Sequence, residues 1–153
     1  MLIAIVLCGC SPRPPTPPTD EEVISYFWRH ERELTQLVSL GEKHPALTRA
    51  EPKLAKYPDF NGQPSNEDLR AQETAYKILE DIDADFIEWS RKPDGKIFQA
   101  KVPFYRWGLS LGGFSKGLAY LPNFREKPPR SEQGRNYRQI GDTAWFIEES
   151  DTR

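Results

Sequence analysis

A chain of 153 residues with a formal net charge of -2, 29% charged residues of both signs and 12% aromatics has neither the basic surface that nucleic acid demands nor an acidic block of the kind that forms a solvated tail. Its Trp, Tyr and Phe content excludes an intrinsically disordered chain, because these side chains can bury enough apolar area to offset the entropy of ordering. The only cysteines are Cys8 and Cys10, so everything after them is without a disulfide or a thiol ligand, and cysteine redox or cysteine-metal chemistry is excluded there.

The chain opens on an apolar run from Leu2 to Leu7. That run is far shorter than the about twenty residues needed to cross roughly 30 Å of hydrocarbon, and it reads as the hydrophobic region of a signal peptide over residues 1–9, although no Lys or Arg precedes it. Leu7-Cys8-Gly9-Cys10 resembles the lipobox of bacterial lipoproteins. The resemblance implies cleavage before Cys10, a diacylglyceryl group on its thiol and acylation of the new amino group. Several chains would anchor the protein firmly, since each buried methylene contributes about 0.8 kcal/mol. Ser11 after the lipidated cysteine is similar to the Gram-negative outer-membrane sorting default, which implies a periplasm-facing location on that membrane. Residues 10–19 then form a tether: five prolines between Ser11 and Thr19 favour extended polyproline of about 3.1 Å per residue, a spacer of up to about 30 Å.

Thr19 with Glu22 three residues later has capping-box spacing, so a helix is predicted from about residue 20 to 40. Val23, Phe27, His30, Leu34, Leu37 and Val38 recur at three and four along one face, and Gly41 and Pro45 supply the stop. From 42 to 62 the pattern is broken by Pro45, Pro52 and Pro58; an ordered connection or short helical turn is predicted, anchored by Leu47, Leu54, Tyr57 and Phe60. Ser65 with Asp68 marks a second helix to about residue 82, with Leu69, Gln72, Ala75, Tyr76, Leu79 and Ile82 facing inward.

The period then changes from 3.6 to 2. Phe86 to Trp89 alternates, Lys92-Pro93-Asp94-Gly95 has turn composition, and 96–102 alternates again, which predicts a hairpin. Pro103 should lie at an edge or bulge and end that strand. A separate strand is predicted over 104–111, a reversal at Gly112-Gly113, a strand over 116–121, a loop over 122–136 and a closing hairpin of 137–140 with 143–148 about Gly141-Asp142. The predicted class is α+β: two N-terminal helices packed on an antiparallel sheet of five to six strands, in one domain over 20–150. The stretch 107–120, with Tyr137-Arg138-Gln139-Ile140 and Trp145, resembles a sheet signature of uncharacterised bacterial proteins, and that resemblance implies no function.

Gly113-Phe114-Ser115-Lys116-Gly117 matches G-x-S-x-G, the nucleophile elbow of serine hydrolases. The chemistry needs a strained strand-to-helix turn and a later histidine base, yet both histidines, His30 and His44, precede Ser115. A glycine-rich hairpin is the simpler reading. Asp81, Asp83 and Asp85 alternate as in a calcium loop, but Phe86 and Lys92 occupy the places where such a loop has Gly and Glu. His30 and His44 are assigned packing or capping roles, and no metal or cofactor site is predicted. Arg125, Lys127, Arg130, Arg135 and Arg138 make a basic segment, predicted to be a loop, able to meet anionic headgroups, a polysaccharide or an acidic protein. Trp89, Tyr105, Trp107, Tyr120 and Trp145 should be divided between core and surface by strand alternation; any facing water would mark a binding surface.

The expectation is therefore an envelope lipoprotein held in membrane lipid through Cys10, binding an envelope protein or polymer without catalysis and without nucleic acid. The competing expectation is a small envelope hydrolase that uses Ser115.

Overall fold

The computed structural model describes residues 16–53, 59–107, 113–124, 129 and 134–151. Helix α1 spans Asp20–Lys43 and opens on a complete capping box: the Thr19 hydroxyl accepts from the Glu22 N–H, and the Glu22 carboxylate accepts from the Thr19 N–H. Two backbone donors that the first turn leaves unpaired are thereby satisfied. The helix kinks at His30 (φ -120°, ψ 18°) and buries Val23, Phe27, Leu34, Leu37, Val38 and Gly41. Gly41 does not stop it. A Cβ there would fall 2.4 Å from Trp89 Nε1, so this glycine lets the buried indole lie against the helix backbone.

Helix α2, Asn66–Asp81, begins on a second capping box built from Ser65 and Asp68. It buries Ala71, Ala75 and Leu79, a set spaced by four that brings small residues inward for close packing. Leu69, expected on that face, is 42% exposed; two residues before Ala71, it is turned roughly 200° away around the helix axis. The ends of the two helices are joined where His44 Nδ1 meets Asp68 Oδ1 at 3.1 Å.

The Asp68 carboxyl is held below the usual aspartate range by the Ser65 backbone N–H first, then by the Ser65 hydroxyl and His44. A depressed carboxyl stabilises the fold above its unfolded pKa, and that contribution is lost as pH falls through the folded one. The melting temperature should therefore drop on acidification below about pH 4, and Asp68→Asn should show a shallower acid limb. Identical pH dependence of melting in both proteins would remove Asp68 from this role.

Six strands follow in the spatial order β1-β2-β3-β4-β6-β5, antiparallel throughout: β1 Arg49–Ala50, β2 Ile87–Arg91, β3 Ile97–Trp107, β4 Phe114–Tyr120, β5 Arg135–Gln139 and β6 Trp145–Asp151. The predicted α+β class stands, with three corrections. The connection after α1 contributes the edge strand β1 rather than a helical turn. Pro103 does not end a strand: the β2–β3 ladder stops at Glu88–Lys101, and a register shift between Pro103 and Tyr105 absorbs the missing donor, so β3 runs on as one strand. The segment 122–136, expected as loop, begins with a 3-10 turn at Pro122–Phe124 and ends inside β5.

Both helices pack on one face of the sheet. That face carries Ile87 and Trp89 of β2, Ala100 and Val102 of β3, Leu118 of β4, and Trp145 and Ile147 of β6, which with Phe27, Leu34, Leu37 and Leu79 make the principal core. A smaller cluster of Ala119, Leu121 and Phe146, with Tyr137 against it, belongs to the opposite face. Buried Asp59 fastens the segment before α2 to that helix, its Oδ2 accepting from Gln72 at 2.6 Å and from the Tyr76 hydroxyl. Among the described residues no helix is long and apolar enough to cross a membrane.

Candidate functional site

Strand pairing aligns the second sheet face, which neither described helix covers, into rows. One row runs Glu88, Lys101, Ala119, Phe146 and Gln139; the next holds Pro103, Gly117, Glu148 and Tyr137; a third runs Arg106, Ser115, Ser150 and Arg135. Directly opposed residues share a face, so β4 contributes the small residues Ser115, Gly117 and Ala119, with Gly117 and Ala119 set between the larger Pro103 and Lys101 of β3 and Glu148 and Phe146 of β6. The result is a trough, and its open part is a cleft of ≈ 100 Å³ lined by Phe86, Lys101, Arg106, Ser115 and Glu148 among others.

Gly117 is required by the bulge in β3. A Cβ at this position would lie 2.5 Å from the Val102 carbonyl oxygen and 2.7 Å from Pro103 Cα. Bulges re-aim the residues that follow them, and here β3 resumes pairing with Tyr105 opposite Lys116 and Arg106 opposite Ser115.

The charges in the cleft are locally paired. Glu148, 8% exposed, accepts from Lys101 Nζ at 2.7 Å and from the Tyr137 hydroxyl at 3.2 Å. Burial, and then the Glu148 charge, pushes the Tyr137 hydroxyl pKa up. Arg49 bonds Glu51 at 3.0 Å and Glu88 at 3.3 Å. Both Arg49 and Arg106 stack their guanidinium groups over Phe86, at 3.8 and 4.4 Å from the ring centroid, a contact that orients the flat face of each cation.

On the helix face a second ionic cluster fastens the start of α1 to the sheet. Lys116, 6% exposed, pairs with Asp20 and, at 2.9 Å, with Glu149; Arg138 also pairs with Asp20. The first residue of α1 is thus tied to β4 and β5, and Lys116 in turn to β6.

Of the basic residues expected in one loop, Arg125, Lys127 and Arg130 lie outside the described residues, as does Cys10. Arg135 and Arg138 are in strand β5, not in a loop, and three residues apart on a strand they point to opposite faces. Arg138 is engaged by Asp20, while Arg135 joins the row with Ser115. Sequence reading missed Arg106 and Ser150. The only local signal for Arg106 was alternation along 104–111, and Ser150 lay beyond the predicted strand 143–148; the register that brings them beside Ser115 and Arg135 is non-local.

Ser115 lies within β4, paired with Arg106 on one side and Ser150 on the other. The G-x-S-x-G segment is extended strand rather than a strand-to-helix elbow, and the chain after β4 enters the 3-10 turn of Pro122–Phe124. Neither histidine lines its cleft: His30 stacks on Tyr26 at 4.6 Å, and His44 meets Asp68. Of the alternating aspartates, Asp81 ends α2, and Asp83 and Asp85 lie 3.6 and 3.5 Å from Lys53. Of the aromatics expected to divide between faces, Trp89 and Trp145 are core. Exposure falls instead on Trp28, Phe98 and Phe124.

Fold and site together define an α+β domain that covers one sheet face with two helices and presents a charged cleft on the other. No family model matches the chain, and no curated protein or solved structure matches it either.

Proposed function

We propose that this protein is a membrane-anchored envelope lipoprotein whose domain acts as a binding module, with the second sheet face as its contact surface. The observation that carries the anchor is the order of its parts. A lipobox-like Leu7-Cys8-Gly9-Cys10 is followed by a proline-rich spacer, and the spacer leads into a helix whose first residue is clamped by Lys116 and Arg138. A tether transmits position only if the domain end it enters is held, and Asp20 ties that end to two strands, β4 and β5. The binding reading is supported by the cleft over Gly117, whose charged walls are preset by ion pairs and by stacking on Phe86.

The hydrolase reading loses its support with the extended conformation at Ser115. Labelled palmitate should enter the wild-type protein and not Cys10→Ala, and the variant should keep residues 1–9 uncleaved. Equal labelling of the two, or an unmodified amino terminus by mass spectrometry of native material, would refute the anchor.

A further inference from the structure

We propose that strand β5 is a docking edge, onto which an extended acidic segment of a partner protein adds as a further strand. β5 is the last strand of the sheet, paired with β6 on one side and with no described strand on the other. Its backbone alternates between these two sides. The Gly134 carbonyl accepts from the Asp151 N–H, and the Ile140 N–H donates to the Trp145 carbonyl, so the even-numbered residues from 134 to 140 turn their N–H and C=O groups to β6. In an antiparallel ladder the intervening residues turn the other way, which sends the N–H and C=O groups of Arg135 and Tyr137 out to the open edge.

The two edges of the sheet are finished differently. β1 is two residues long and ends just before Pro52, too short to offer a ladder. β5 runs five residues without a proline, and Arg135, Asn136 and Arg138 are exposed. Beside it, on the side where the helices pack, a groove of ≈ 410 Å³ is lined by Asp20, Asn136, Arg138, Ile147 and Glu149 among others. Trp28, at 51% the most exposed large apolar side chain among the described residues, stands at the end of this strand, where a Cβ on Gly141 would lie 3.4 Å from its ring. Strand addition uses these parts: an open ladder for main-chain bonds, a groove for alternate side chains and an aromatic anchor.

Charge selects the partner. β5 carries Arg135 and Arg138 and no carboxylate. Arg135 bonds Tyr137 and Arg138 pairs with Asp20, but a guanidinium has five N–H donors, and the Arg138 side chain remains 63% exposed. The acids of the groove are already met by cations, Asp20 by Lys116 and Arg138, and Glu149 by Lys116. Residues facing Arg135 and Arg138 across a ladder are three apart on the incoming strand and point to opposite faces. The matching segment is therefore extended and carries two carboxylates three positions apart. A second copy of this chain is a poorer fit, because antiparallel pairing of β5 on itself about Tyr137 sets the two Arg138 side chains diagonally across one face, within reach of each other's charge. This edge is distinct from the cleft over Gly117 and needs neither that cleft nor the anchor.

The probe is a synthetic eight-residue peptide of threonine and valine with two glutamates three positions apart, added to the full chain. Amide exchange should slow at Arg135 and Tyr137, whose N–H groups face the open edge, and stay as it was at Asn136 and Arg138, which already bond β6. In calorimetry, N-methylation of one alternate set of peptide nitrogens should abolish binding and N-methylation of the other set should leave it. Replacing both glutamates by glutamine should weaken binding about fivefold, and Arg135→Gln with Arg138→Gln should weaken the glutamate peptide to the same degree. Unchanged exchange at Arg135 and Tyr137, or equal binding of the two methylated peptides, would overturn the proposal. So would a dimer in sedimentation that the peptide dissociates, since the edge would then belong to a second copy.

Discussion

Gly117→Ala should destabilise the domain by about 3 kcal/mol, lowering its melting temperature by about 10 °C. The added methyl would come within 2.5 Å of the Val102 carbonyl oxygen and 2.7 Å of Pro103 Cα. Both obstacles are backbone, so no rotamer change relieves the contact. They also lie between β3 and β4, in the interior of the sheet, where a shift propagates into the pairing of β4 with β6. Chemical denaturation would check the effect; a loss under about 1 kcal/mol would show that the bulge is compliant.

Arg91→Ala should cost about 3 kcal/mol, at the strong end for hydrogen bonds to a charged group. One guanidinium nitrogen of Arg91 donates to the carbonyls of Gly41 at 2.5 Å, Leu47 at 3.1 Å and His44 at 3.3 Å. The Gly41 carbonyl is one that a glycine cap normally satisfies at a helix end; α1 has no such motif, the His44 N–H serves only Leu40, and Arg91 also ties the chain just beyond the helix at His44 and Leu47. Burial makes the Arg91 guanidinium easier to deprotonate than usual, and the negative end of the helix dipole offsets part of that cost. Removing the side chain takes this donor from the Gly41 and Leu47 carbonyls, while the His44 carbonyl keeps the Leu47 N–H at 3.0 Å. Arg91→Lys should recover only part of the stability, since an ammonium at the end of a flexible stem lacks the planar fork that reaches several carbonyls. Faster amide exchange in the last turn of α1 in Arg91→Ala would tie the loss to this cap, and unchanged exchange there would not fit it.

The two stabilising devices differ in how visible they were beforehand. The start of each helix was legible because it is local: Thr19 with Glu22, and Ser65 with Asp68, are three residues apart, and the capping boxes form as their spacing predicts. The turns at Lys92-Pro93-Asp94-Gly95 and Gly141-Asp142 were legible for the same reason. The end of α1 was not, since its cap comes from Arg91, fifty residues beyond Gly41. Pro103 was read as a strand end because proline lacks an N–H, but the fold had already ended the β2 ladder before reaching it.

Composition and local spacing by themselves determined the α+β class, both helix starts, the alternating strands and the lipobox resemblance at Cys10, because each depends on residues within a turn or two of one another. Only the tertiary structure decided that Arg135 and Arg138 occupy a strand and part to opposite faces, that Leu69 turns outward, and that Arg106, Ser115, Ser150 and Arg135 form one row. Strand register carries no signature within a single strand; it is set by how the apolar rows of four strands close against the helices, and it brings together residues up to forty-four positions apart in the chain.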